Sequence, residues 1–233
     1  VFTPFYLMMD PTYMLVLIGV GLSLGASIHV QRTFAKYGEY RTKHHITGTD
    51  AARLILEEAN IRDVIVQPIA GELTDNYNPS DKTLNLSQSV AHSTSVAAVG
   101  VAAHECGHAL QDHHHYFPLK LRASLVPIVN VGSNLALPLI LLGLFVGQKL
   151  VTIGIICFAT VFLFQLVTLP VEFNASRRAL SVLEAQQVLT DSELKMARQV
   201  LIAAALTYVA SAVAVLLQLL RLILLFGNNN NRD

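Results

Sequence analysis

Four long stretches of this chain carry no charge, and they decide what it can fold into. Residues 11–31 lie between Asp10 and Arg32, and residues 123–148 between Arg122 and Lys149. Residues 150–171 run from Lys149 to Glu172, and residues 199–220 from Arg198 to Arg221. A helix rising 1.5 Å per residue needs about 20 apolar residues to cross the hydrocarbon core of a bilayer, and all four stretches are long enough. One such run would fit inside a soluble protein as a buried core helix. Four cannot be hidden in a chain of 233 residues. The expected fold is therefore mainly α and integral to a membrane, with spans at about 11–31, 124–147, 150–170 and 199–226. Composition agrees: 14% of the residues are charged, against about 25% in an average soluble domain, and mean hydropathy is +0.50. The first run is too long, and follows Asp10 rather than basic residues, to read as a cleavable signal peptide. Pro127 and Pro138 fall inside the second span, where neighbouring helices can satisfy the freed carbonyls, and Pro170 is read as the end of the third.

Charge outside the spans gives an orientation. Segments 32–122 and 172–198 hold Arg32, Lys36, Arg41, Lys43, Arg53, Arg62, Lys82, Lys120, Arg122, Arg177, Arg178, Lys195 and Arg198, leaving Lys149, Arg221 and Arg232 elsewhere. Four spans put those two segments on one side, and the positive-inside rule makes that side cytoplasmic. The chain is expected to be one integral-membrane domain, 1–233, in the plasma or inner membrane, with a water-facing region of about 32–122 plus 172–198. A net charge of zero gives a nucleic-acid partner no electrostatic support. Cys106 and Cys157 sit in apolar surroundings and read as reduced thiols.

The water-facing region has ordinary folding signals. Residues 51–59 read as a helix capped by Thr49 or Asp50. Asp63–Ile69 and Lys82–Leu86 read as short strands around a turn-rich stretch, Gly71–Ser80. Ser93 is a good N-cap for a helix from about Thr94 to Asp112. Residues after Gly227 form a polar tail.

On that last helix stands His104-Glu105-Cys106-Gly107-His108, an H-E-x-x-H motif. Histidines four apart share a helical face and can bind one metal, while Glu105, displaced about 100° around the axis, reaches a metal-bound water beside it. Zn²⁺ lowers the pKa of such a water toward 7, and the glutamate takes its proton as it attacks a carbonyl. A catalytic zinc also wants a third protein ligand. His114 has the spacing of the elongated H-E-x-x-H-x-x-G-x-x-H motif, but that motif needs glycine at position 111 and this chain has Gln111. Asp112 follows one turn after His108, with a short side chain directed along the helix. Glu172 opens a helical stretch where the third span ends, on the side of the histidines, and a carboxylate at that depth asks for a partner. Glu172 is the favoured ligand. His113-His114-His115 reads as the loop ending the helix, and Arg177 and Arg178 read as headgroup anchors or oxyanion stabilisers.

Gly100–Leu110, Tyr116–Pro127, Leu169–Ala179 and Leu73–Pro79 followed by Leu84–Ser87 together resemble the YugP-like family of membrane-bound neutral zinc metallopeptidases. The Glu172-Phe-Asn-Ala run is also similar to the HtpX and CAAX prenyl protease families, which implies His104, His108 and Glu172 as zinc ligands and Glu105 as general base. Those relatives often carry Asp where this chain has Ser176, which would orient a ligand histidine more strongly. The resemblance further implies a zincin-like α+β region with an edge strand that pairs with extended substrate, matched here to Thr83–Ser87.

The expected activity is zinc-dependent endopeptidase cleavage by a Glu-activated, zinc-bound water. The expected partners are peptide or protein substrates, membrane proteins among them, and the lipid bilayer. The alternative is a non-catalytic membrane zinc-binding or metal-transport protein. Transport wants ionisable residues within the spans, and apart from His29, at the edge of the first, the charge-free stretches offer none.

Overall fold

The computed structural model describes residues 10–227. The polar tail after Gly227 lies outside them. Helices α1 (Tyr13–Gly38), α5 (Phe117–Val146), α6 (Gln148–Ala185) and α7 (Asp191–Phe226) are each long and apolar enough to cross a membrane. Between α1 and α5 lie α2 (Gly48–Glu58), β1 (Ile65–Ile69), β2 (Asn76–Asn78), β3 (Thr83–Ser87), α3 (Gln88–Ala91) and α4 (Val96–His113). The architecture is mainly α with a small α+β region. It divides into two compact units.

One unit comprises the described residues to Ala26, with Leu121–Thr168 and Thr207 onward. Its helices meet through small residues, as membrane helices do in the absence of a hydrophobic drive between them. A methyl group on Gly154 would fall 2.8 Å from the Ala136 carbonyl oxygen, so α5 and α6 touch backbone to backbone there. Many outward-facing side chains in this unit are large and apolar; Phe145 is 89% exposed, a cost in water that lipid removes. Pro127 and Pro138 lie inside α5 without ending it.

The other unit, Ser27–Lys120 with Leu169–Leu206, carries the candidate site. Its core gathers α2, β3, α4 and the adjoining stretches of α6 and α7 around Ile55, Leu84, Leu86, Val99, Cys106 and Leu183. The third long helix is not broken at Pro170, where the third span is read to end. It continues to Ala185, because Val171, Ala175, Ala179 and Leu183, spaced four apart, are all buried and hold the helix onto the core.

Local signals decide the other boundaries. Thr47, rather than Thr49 or Asp50, caps α2: its hydroxyl accepts from the Asp50 N–H while the Asp50 carboxylate accepts from the Thr47 N–H, a complete capping box. Ser95, rather than Ser93, caps α4 by accepting from the Ala98 N–H, and the Ser93 hydroxyl donates to Ser95. The three strands run in the order β1-β3-β2, with β1 parallel and β2 antiparallel to β3. Thr83–Ser87 is therefore the central strand, paired with β1 along its length and with β2 from Thr83 to Asn85. It is not the edge strand expected to pair with an extended substrate; among the described residues the outer strands are Ile65–Ile69 and Asn76–Asn78. Cys106 and Cys157 are both free thiols.

Candidate active site

Helix α4 is built almost entirely of small apolar residues on its packed faces: Ala97, Ala98, Ala102, Ala103 and Ala109 are buried. Small side chains let neighbouring helices approach closely. At Gly107, in the middle of the motif, α4 crosses α6 at Ala175. That crossing brings Glu172, one turn earlier on α6, beside His104 and His108 on α4.

The resulting cluster is tight. Glu172 Oε2 lies 3.2 Å from His104 Nε2 and 3.5 Å from His108 Nε2. One ligand atom from each residue falls within 4.8 Å of the others. Four-coordinate zinc with bonds of about 2.0–2.1 Å spaces its ligand atoms about 3.3–3.4 Å apart. Two imidazole nitrogens and a carboxylate are also a donor set that zinc favours. The residues fit the metal. Glu172 is 2% exposed and His108 8% exposed, so charge here is shielded from water and needs partners.

Each histidine is supported from behind. His104 Nδ1 lies 3.1 Å from the Ser176 hydroxyl, on the same helix as Glu172. His108 Nδ1 lies 3.1 Å from Gln111 Oε1. Gln111 is fully buried, and its Nε2 donates to the Val171 carbonyl at 2.8 Å and to Asn174 Oδ1 at 3.0 Å. In the sequence Gln111 stands out only as the residue where the elongated motif has glycine. Its spacing of three from His108 was the available signal, but the role depends on α6 lying alongside.

Glu105 is buried beside the cluster. Burial raises its pKa, the nearby His104 and His108 oppose that rise, and Glu172 adds to it. A carboxylate so placed is a better proton acceptor than an exposed one.

The other sequence candidates point elsewhere. His114 donates from Nδ1 to the Leu110 carbonyl at 2.7 Å, and His115 turns the chain with φ at 52°, which closes the end of α4. Asp112 accepts hydrogen bonds from the Tyr77 hydroxyl, at 2.8 Å, and from Lys82 Nζ. Arg178 donates from Nε to Asn174 Oδ1 at 2.8 Å and lies over the Tyr116 ring, 5.8 Å from its centre.

Residues 12–227 match the family model described as "Putative neutral zinc metallopeptidase". The chain belongs to this family. It is also 40% identical over 220 residues to "Putative membrane protease YugP" of Bacillus subtilis (strain 168), an alignment covering 94% of this chain and 98% of that protein. No solved structure matches. A membrane protein of a zinc metallopeptidase family is what the four apolar helices and the His-His-Glu cluster also describe. In this family member the H-E-x-x-H helix and the helix bearing Glu172 are held together through the glycine inside the motif.

Proposed function

We propose that this chain is a membrane-bound zinc endopeptidase in which His104, His108 and Glu172 hold the metal and Glu105 is the general base. The observation that carries this reading is the convergence of Glu172 Oε2 on both histidine Nε2 atoms, at 3.2 and 3.5 Å, with Glu105 buried next to them. Zinc bound there supplies Lewis acidity, lowering the pKa of a water and polarising a carbonyl oxygen. Glu105 removes a proton from the attacking water as the water oxygen bonds to the scissile carbonyl carbon. The same carboxyl then delivers that proton to the amide nitrogen as the C–N bond breaks. Burial supports both halves of this exchange, because it narrows the gap between the carboxyl pKa and that of the group it serves.

The distribution of Lys and Arg supports a multi-pass placement in the plasma or inner membrane with the site on the cytoplasmic side. Extended segments of membrane proteins close to the bilayer are the substrates that this placement favours. Zinc content and cleavage of an unfolded protein substrate, measured on detergent-purified protein, test the reading. Glu105→Gln is expected to keep zinc and lose cleavage, and Glu172→Ala to lose zinc. Equal cleavage by wild type and Glu105→Gln would sink the assignment of the base.

A further inference from the structure

We propose that Gln111 is a positioning residue that holds His108 as the Nδ1-protonated tautomer, so that its Nε2 lone pair faces the metal position before any metal arrives. This rests on the reading of His108 as a zinc ligand.

The Arg178 guanidinium can only donate. Its Nε donates to Asn174 Oδ1 at 2.8 Å, which fixes that atom as the amide oxygen. One end of the buried Gln111 amide lies 3.0 Å from this oxygen and 2.8 Å from the Val171 carbonyl. Both neighbours can only accept, so that end of Gln111 is its NH₂, with both hydrogens engaged. The opposite end is therefore the carbonyl oxygen, 3.1 Å from His108 Nδ1. An acceptor facing Nδ1 requires a proton on it, and a neutral imidazole protonated at Nδ1 carries its lone pair at Nε2. The other tautomer would donate from Nε2 to Glu172 Oε2, but at 3.5 Å that acceptor is the more distant one, and it would set the Nδ1 lone pair against the oxygen of the fully buried Gln111, 3.1 Å away, leaving that oxygen unsatisfied.

His104 has no such device. Its Nδ1 faces the Ser176 hydroxyl, which donates or accepts with equal ease. The chain Arg178–Asn174–Gln111 thus specifies one ligand of the pair, and it does so with neutral amides where a carboxylate is the commoner partner of a metal-bound histidine. A neutral partner adds no third carboxylate beside Glu105 and Glu172.

The test uses full-length protein in detergent, stripped of zinc, with ¹⁵N-labelled histidine and at alkaline pH, where imidazoles are neutral. His108, assigned by the loss of its signals in His108→Ala, is expected to show a protonated Nδ1 and an unprotonated Nε2. Gln111→Met, close in shape but with no donor and only a weak thioether acceptor, is expected to lose that preference. Its zinc affinity, read by chelator competition, should fall roughly 10–100-fold. Asn174→Asp keeps an acceptor for both Arg178 and Gln111 and is expected to keep the wild-type tautomer. A His108 protonated at Nε2 in wild type, or an even mixture, overturns the proposal even if Gln111→Met fails to fold. So does a folded Gln111→Met with unchanged tautomer and zinc affinity. Wild-type protein that shows the expected tautomer yet binds no zinc would count against the metal site and leave the Gln111 assignment standing.

Discussion

Gly107 lies against the backbone of Ala175, so closely that a methyl group on the glycine would fall 2.9 Å from the Ala175 carbonyl carbon and 3.0 Å from its Cα. These are backbone atoms and cannot rotate away. The contact sits between the two histidines on one helix and Glu172 on the other, so it sets the reach of the carboxylate. Gly107→Ala is expected to force the helices apart, weaken zinc binding more than tenfold, and cost about 1–3 kcal/mol of stability, as overpacking does. Gly100 is the control, because the nearest atom a methyl there meets is the Ala197 Cβ at 3.4 Å, an ordinary contact. Gly100→Ala should bind zinc as wild type does. Equal affinities for the two variants, by chelator competition, would show that the Gly107 crossing does not set the site.

Ser176 supports His104 through a hydroxyl at 3.1 Å, a weaker partner than the carboxylate often found behind a ligand histidine. Ser176→Ala is expected to weaken zinc binding by up to about tenfold, because the ring loses its orientation. Ser176→Asp is expected to tighten it, since an ionised acceptor raises the basicity of the ring. Isothermal titration of the zinc-free protein gives both numbers. A tighter Ser176→Ala would mean that the hydroxyl holds the ring away from its binding position.

The parts of this structure legible in the sequence are those governed by local chemistry. Long uncharged runs became α1, α5, α6 and α7, and the H-E-x-x-H spacing put both histidines on one face. Glu172 could be favoured because an unpartnered carboxylate at the end of an apolar run is costly. Long-range choices stayed hidden. Thr47, Thr49 and Asp50 are all good caps, and Gly48, pressed against the Val90 carbonyl, helps to fix which one serves. Asn76–Asn78 is a strand of three residues without apolar alternation, and only its pairing with β3 reveals it. Strand order depends on where β2 returns, so no reading of Thr83–Ser87 alone could tell a centre from an edge.

The capping box of α2 gives a prediction about folding rather than chemistry. Thr47 and Asp50 each donate a backbone N–H to the other's side chain across the first turn, and Ala51, Ala52, Ile55 and Leu56 of this helix are buried in the core. Thr47→Ala is expected to cost about 1 kcal/mol, read as a lower thermal midpoint in detergent. Thr49, which donates to the Ala91 carbonyl, lies outside the cap, so its replacement by alanine should leave the first turn of α2 intact. Greater protection loss at the first turn in Thr49→Ala, by hydrogen exchange, would reverse that assignment.

Asp112 joins the end of α4 to β2 and to the turn that follows it, accepting from Tyr77 and Lys82. Burial alone would raise its carboxyl pKa, but the hydrogen bonds from Lys82 and Tyr77 and the Lys82 charge outweigh it and hold the group below its ordinary value. A carboxyl lowered in the folded state contributes stability above the unfolded value. That contribution is lost as pH falls through the lowered one. Lys82 is 39% exposed, so solvent screens the pair and the expected contribution is only about 1 kcal/mol. Asp112→Asn keeps an acceptor for both donors and removes the charge. Its stability should fall below wild type at neutral pH and converge with it once the medium is acid enough to protonate the wild-type carboxyl. Urea unfolding of both proteins across that range measures the gap directly. A gap that stays constant with pH would assign the loss to hydrogen-bond geometry, and the ion pair with Lys82 would then contribute nothing to holding the end of α4.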